Sequence, residues 1–198
     1  MIPKPLAIRL AAQWWKRTHE QDQTELINSL PESLVESFCK QIEKLDFLPE
    51  VKGLTATLCG QQGPFGQAEV ILSNRGSRLF RSFVNVNPDA TNSSLTRILK
   101  NKPYEELLGI NGDVRRNIVW ALENLCFHAH LFEDAAWSLL LLASAENESY
   151  GNNAIGIFAQ LFRIRGSGTA STPEKRFFVL KRAIERNNDH FSLVVLKA

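Results

Sequence analysis

Apolar residues recur every three or four positions along most of this chain. That rhythm fits a helix that covers one face, and it repeats often enough to dictate the fold class. Leu6, Leu10 and Trp14 fall at i, i+4 and i+8, which predicts a first helix with one apolar stripe. Lys16 and Arg17 follow, where unpaired carbonyls at a helix end favour cations. Adjacent helical positions face differently, so this phase puts Trp14 in the core and turns Trp15 outward as a candidate partner-binding aromatic. The pattern repeats through Leu34, Phe38, Ile42 and Leu45, with Pro31 near the helix start and a close near Pro49.

Residues 54–72 are less legible. "LTATL" and "AEVIL" have strand-like composition around the loop "GQQGPFGQ", so a short hairpin is possible there. Two short helices suit their helical neighbours better. From Arg75 on the signals are firmer. Leu79, Phe80, Phe83 and Val84 share one helical face, and Asn87 followed by Pro88 caps the next helix. Val114, Ile118, Ala121, Leu122 and Leu125 form another face. The segment around Ala135–Ala143 follows Glu133 and Asp134 in an acidic first turn and is apolar on all sides, which predicts burial between neighbours. Ile155, Phe158, Ala159 and Phe162 point inward in the following helix. Ser171 and Glu174 then read as a capping box, ahead of Phe177, Leu180, Ala183 and Ile184. "HFSLVVLKA" opens an apolar segment with no capping residue, which reads as a cut through a longer chain.

Helices of about a dozen residues joined by short polar corners imply an all-α fold of stacked antiparallel helical pairs, an irregular α-solenoid of the HEAT or TPR kind. No strict short repeat runs through it. We read residues 1–198 as a single helical-repeat segment, with a looser part over 1–73 and a firmer array over 74–198.

Charge narrows the function. Lys+Arg number 23 against 21 Asp+Glu, a net charge of +2, so no concentrated field favours nucleic acid or an acidic substrate. Arg75, Arg78 and Arg81 form the one row that could serve a partner, and a nucleic-acid-binding helical domain using them is the alternative reading. Three widely spaced cysteines without a C-x-x-C suit buried thiols in a reducing cytosol. The N-terminus is no signal peptide, and the longest apolar run is about half a membrane span. A cytoplasmic protein with no membrane contact follows.

The search for chemistry finds helix corners. No Gly-Lys pair exists, so the phosphate loop G-x-x-x-x-G-K-[ST] is absent. In "CFHAH", Cys126 and His130 would share a helical face while His128 points away, so the three cannot converge on a metal. Glu146 and Glu148 could act as an acid–base pair only in a cleft, and an enzyme built on them ranks last. The plainer reading has Asn147 or Ser149 ending a helix, Gly151 turning the chain, and Asn152 or Asn153 capping the next helix. No catalytic residue, cofactor or metal is expected.

"VWALENLCF", "LLLLASAENESYGNNAIGIFAQLF" and "GTASTPEKRFFVLKRAI" resemble, in order and spacing, the helical region C-terminal to the NTPase module of bacterial STAND-type NTPases, many of them of the anti-phage defence type. The matching positions are Trp120–Glu123, Leu139–Ala143, Asn152 and Asn153, Phe158–Phe162, Thr169 and Arg176. Pro88 sits at the family's helix-Pro-helix step, and "PKPLAIRLAAQWW" resembles the entry to this region. The likeness is strongest from Gly76 onward. It implies a non-enzymatic scaffold or sensor-side segment, with the ATPase module elsewhere in the parent protein. Its partner would be a protein, of phage origin in the defence setting, or other domains of the same parent chain.

Overall fold

Helical phase and helix-capping residues carry through to the computed structural model, which describes residues 4–198. Those residues form thirteen α-helices, one 3-10 turn and no strand. The chain opens with α1 (Lys4–Arg17), α2 (Glu20–Ser29), α3 (Glu32–Glu43) and α4 (Pro49–Cys59). Residues 54–72 form helix, not a hairpin: the end of α4, a 3-10 turn at Pro64–Gly66, and α5 (Ala68–Ile71). Then follow α6 (Asn74–Val84), α7 (Pro88–Leu99), α8 (Tyr104–Gly109), α9 (Gly112–Cys126), α10 (Phe132–Ser144), α11 (Ala154–Leu161), α12 (Pro173–Glu185) and α13 (Asp189–Val195).

These helices stack in two rows. In one, α3 packs on α6 and α6 on α9. In the other, α4 packs on α7, α7 on α10, and α10 on α13. Contacts of α6 with α7 and of α9 with α10 tie the rows together. The helices leading the first row begin at Glu32, Asn74 and Gly112, roughly 40 residues apart, the span of one unit in helical-repeat proteins. The repeat is therefore one of architecture, with no matching repeat of sequence.

Caps and burial explain the starts and the packing. Asn87 Oδ1 accepts from Ala90 N at 3.1 Å, with Pro88 opening α7. Leu79, Phe80, Phe83 and Val84 are buried on α6, as are Ile118, Ala121, Leu122 and Leu125 on α9. α10 is covered most fully, with Phe132, Ala135, Ala136, Leu139, Leu140 and Leu142 all buried. It is the helix the others close around.

Three helical phases differ from the sequence reading. On α1 the buried residues are Ala12 and Trp15, with Ile8 and Ala11 partly covered. That i, i+3, i+4, i+7 set competes with Leu6, Leu10 and Trp14, and it turns Trp15 against Phe38 of α3. Trp15 is 4% exposed and Trp14 40%, so the two tryptophans exchange the places expected for them. On α12, Val179 and Ala183 are buried while Phe177 and Ile184 are exposed. Arg176 sets this rotation by donating through Nη1 to the carbonyls of Leu161 and Arg163 at the end of α11. Arg182, with its guanidinium 4.1 Å from the Trp137 ring, holds the same face inward. On α11, Phe158 is buried as expected, but Ile157 and Leu161 lie deeper than Ile155 and Phe162.

The cap of α12 also moves by one residue. Pro173 occupies the first helical position, so Thr172 is the N-cap and its hydroxyl faces Lys175 N. Ser171 is instead buried, its N–H donating to Thr169 Oγ1, which itself donates to the Cys126 carbonyl.

Candidate functional site

The Arg75, Arg78 and Arg81 row runs along the outer face of α6, between α3 and α9. Spacing of three makes each arginine a neighbour of the next, while Arg81 lies about a third of a turn around the helix from Arg75. Arg75 pairs with Glu32 of α3, and Arg78 lies 3.1 Å from Glu36 one turn further on. A hydrogen bond from Lys40, then the nearby Arg78, hold the Glu36 carboxyl below the usual carboxylate range. Arg81 turns the other way. Its Nη1 donates to Asn117 Oδ1 at 3.1 Å, and its guanidinium sits 4.1 Å from the centre of the Trp120 ring on α9.

Arg116 of α9 joins this group from across a cleft of about 490 Å³. It pairs with Asp113 at 2.8 Å and lies over the Tyr150 ring. The cleft thus gathers four guanidinia, three of them already holding carboxylates. Guanidinium clusters recognise carboxylates and phosphates through paired hydrogen bonds. Trp15 is not part of this surface. It is buried on α1 against Trp14 and Phe38, so the outward, partner-binding place expected for it is not where it lies.

The polar corner after α10 is different in kind. Arg115 is fully buried, and all five of its N–H donors find an acceptor. Nε donates to Glu146 Oε1 at 3.0 Å, Nη1 to the carbonyls of Leu107 and Ile110, and Nη2 to those of Leu142 and Ala145. Those carbonyls belong to the C-terminal ends of α8 and α10, where unpaired acceptors and the helix dipole favour a cation. Glu146 completes the clamp. Its Oε1 also accepts from the N–H groups of Asn147 and Glu148, and its Oε2 accepts from Ile155 N in the first turn of α11.

The expected corner therefore exists, but its charge is internal. α10 ends at Ser144, before Asn147, whose side chain donates instead to the carbonyls of Leu108 and Ile110. Asn153 caps α11, accepting from Gly156 N at 2.9 Å. Glu148 accepts from Gly112 N at 2.6 Å, so the two glutamates serve two different helix starts. Arg115 could have been found in the sequence: it lies three and seven positions before the buried Ile118 and Leu122, in phase with the core.

The remaining candidates resolve by placement. α9 ends at Cys126, so "CFHAH" turns out of the helix and the shared face expected for Cys126 and His130 does not form. His130 lies 3.1 Å from Asp89 on the surface, while Cys126 is fully buried. Burial pushes the Cys39 thiol up to about 11, that of Cys59 to about 12, and that of Cys126 higher still. Such thiols are poor nucleophiles. Among the described residues, no group of three or more His, Cys, Asp or Glu could hold a metal, and no helix is long and apolar enough to cross a membrane.

Exposed apolar side chains collect at the other end of the array. Phe177, Phe178 and Ile184 on α12, with Leu193 of α13 and the adjacent Leu196, are all more than half exposed. No family model, curated protein or solved structure matches this chain.

Proposed function

We propose that the chain is a non-enzymatic helical scaffold that joins partner recognition to an ATP-driven switch, as the sensor-side segment of a cytoplasmic STAND-type NTPase. The observation that carries this reading is the apolar face of α12 and α13. α13 rests on α10 as α10 rests on α7, and this last layer leaves Phe177 and Ile184 of α12 and Leu193 of α13 more than half exposed. Such a face suits a further helical layer from the same gene product. The resemblance of Trp120–Glu123, Leu139–Ala143 and Phe158–Phe162 to the STAND helical region supports the same assignment. Nucleic-acid binding through Arg75, Arg78 and Arg81 is the weaker reading, because Glu32 and Glu36 offset two of those three charges.

The test is complementation in trans. The rest of the encoded gene product, expressed as a separate polypeptide, is expected to bind this chain. A double variant, Phe177→Ser with Ile184→Ser, should lose that binding and keep its helical circular dichroism. The chain alone should show no Mg-dependent ATP turnover. Binding unchanged in the double variant, or turnover by the chain alone, would refute the proposal.

A further inference from the structure

We infer that the cleft between α6 and α9 is a carboxylate-exchange site that receives an acidic peptide segment of a partner protein, seated on Arg81. This rests on the scaffold reading and names the chemistry of its partner. Arg81 is the cleft arginine that is built in place. The Asn117 hydrogen bond and the Trp120 ring fix its guanidinium plane, and buried Asn117 is itself held by donating to Ser77 Oγ at 3.1 Å. Among the described residues no carboxylate pairs with it. A guanidinium ordered in advance loses little freedom when a ligand arrives.

Its neighbours are poised to exchange. Arg78 and Arg116 hold Glu36 and Asp113 through side chains 42% and 74% exposed, and solvent-exposed ion pairs of this kind are held weakly. An incoming carboxylate on Arg81 brings others alongside these two arginines, so the protein's own carboxylates give way to the ligand's.

Fluorescence anisotropy with fluorescein-labelled octaglutamate at low salt tests this on the intact chain. Saturable binding is expected, weakened about tenfold by Arg81→Gln. Arg81→Lys should weaken it too, since lysine keeps the charge without the planar stack. Glu36→Gln should tighten binding by releasing Arg78, which a purely structural ion pair would not do. Arg116→Gln, at an exposed side chain, should weaken binding with an unchanged urea midpoint, which covers the case in which Arg81 variants fail to fold. The inference is overturned by absence of saturable binding, or by indifference to both Arg81→Gln and Arg116→Gln. It is equally overturned if duplex DNA or inorganic phosphate displaces the probe better than unlabelled octaglutamate. None of these outcomes touches the α12–α13 face, so the scaffold reading stands or falls separately.

Discussion

Arg115 and Arg78 are the same residue type on adjacent helices, each paired with a glutamate, yet they do opposite work. Arg115 is fully buried, saturated by one carboxylate and four carbonyls, and gathers the ends of α8 and α10 at one point, with Glu146 reaching on to the start of α11. Arg78 lies on the surface against Glu36, with water able to replace either partner. Burial decides the difference. Inside, losing one partner strands a charge and several carbonyls where no water can reach them. Outside, the pair is screened, and its value lies in being exchangeable.

The sharpest way to break this comparison is Arg115→Leu. It leaves Glu146 without its cation and the carbonyls of Leu107, Ile110, Leu142 and Ala145 without their donor. A loss of about 3–5 kcal/mol is expected in urea melts, a large share of the stability of an ordinary domain. A loss no larger than that of an exposed arginine would mean the corner admits water. Leu140→Ala calibrates the same core with an apolar deletion. Leu140 is fully buried in α10, so the cavity should cost about 2–5 kcal/mol.

Next in size comes the split between the two corner glutamates. In Glu146→Gln one oxygen can still face Arg115, but the new amide N–H₂ then meets the Ile155 N–H, donor against donor. About 1–3 kcal/mol should be lost. Glu148→Gln keeps an oxygen for Gly112 N, and should lose less than about 1 kcal/mol. Equal losses in parallel melts would show that the two carboxylates share one site.

The contrast also shows what a sequence exposes. Helices α6, α7, α9 and α10 were legible because each packs against neighbours on two sides, so apolar phase and burial agree at Phe80, Phe83, Ile118 and Leu122. At the ends of the array that agreement lapses. α1 and α12 each carry two competing apolar stripes, and the choice was made by long-range contacts, Trp15 against Phe38 in one and the bonds from Arg176 in the other. The corner was legible as a corner, with Asn153 as its cap. Its polarity misled because glutamates near a turn are usually solvated. The arginine row was visible as a row, while its carboxylate partners lie some 40 residues away on α3, beyond any local pattern.

The smallest expected effect concerns the rim alone. Glu36 is held below the ordinary carboxylate range first by the hydrogen bond from Lys40 and only then by Arg78. Following the Glu36 side-chain carbon by NMR through an acid titration should therefore show a clear rise in its pKa in Lys40→Ala and a smaller rise in Arg78→Gln. The sign follows from the lowering: whatever the folded state gains is present above the unfolded carboxylate pKa and lost as pH falls through the folded value. Arg78→Gln should leave the urea midpoint at neutral pH unchanged, and added salt should erase most of the pKa difference between the variants. A larger rise in Arg78→Gln than in Lys40→Ala would make Arg78 the dominant holder of Glu36. The rim would then be a fixed brace like the Arg115 corner, and less able to exchange its carboxylate for a partner's.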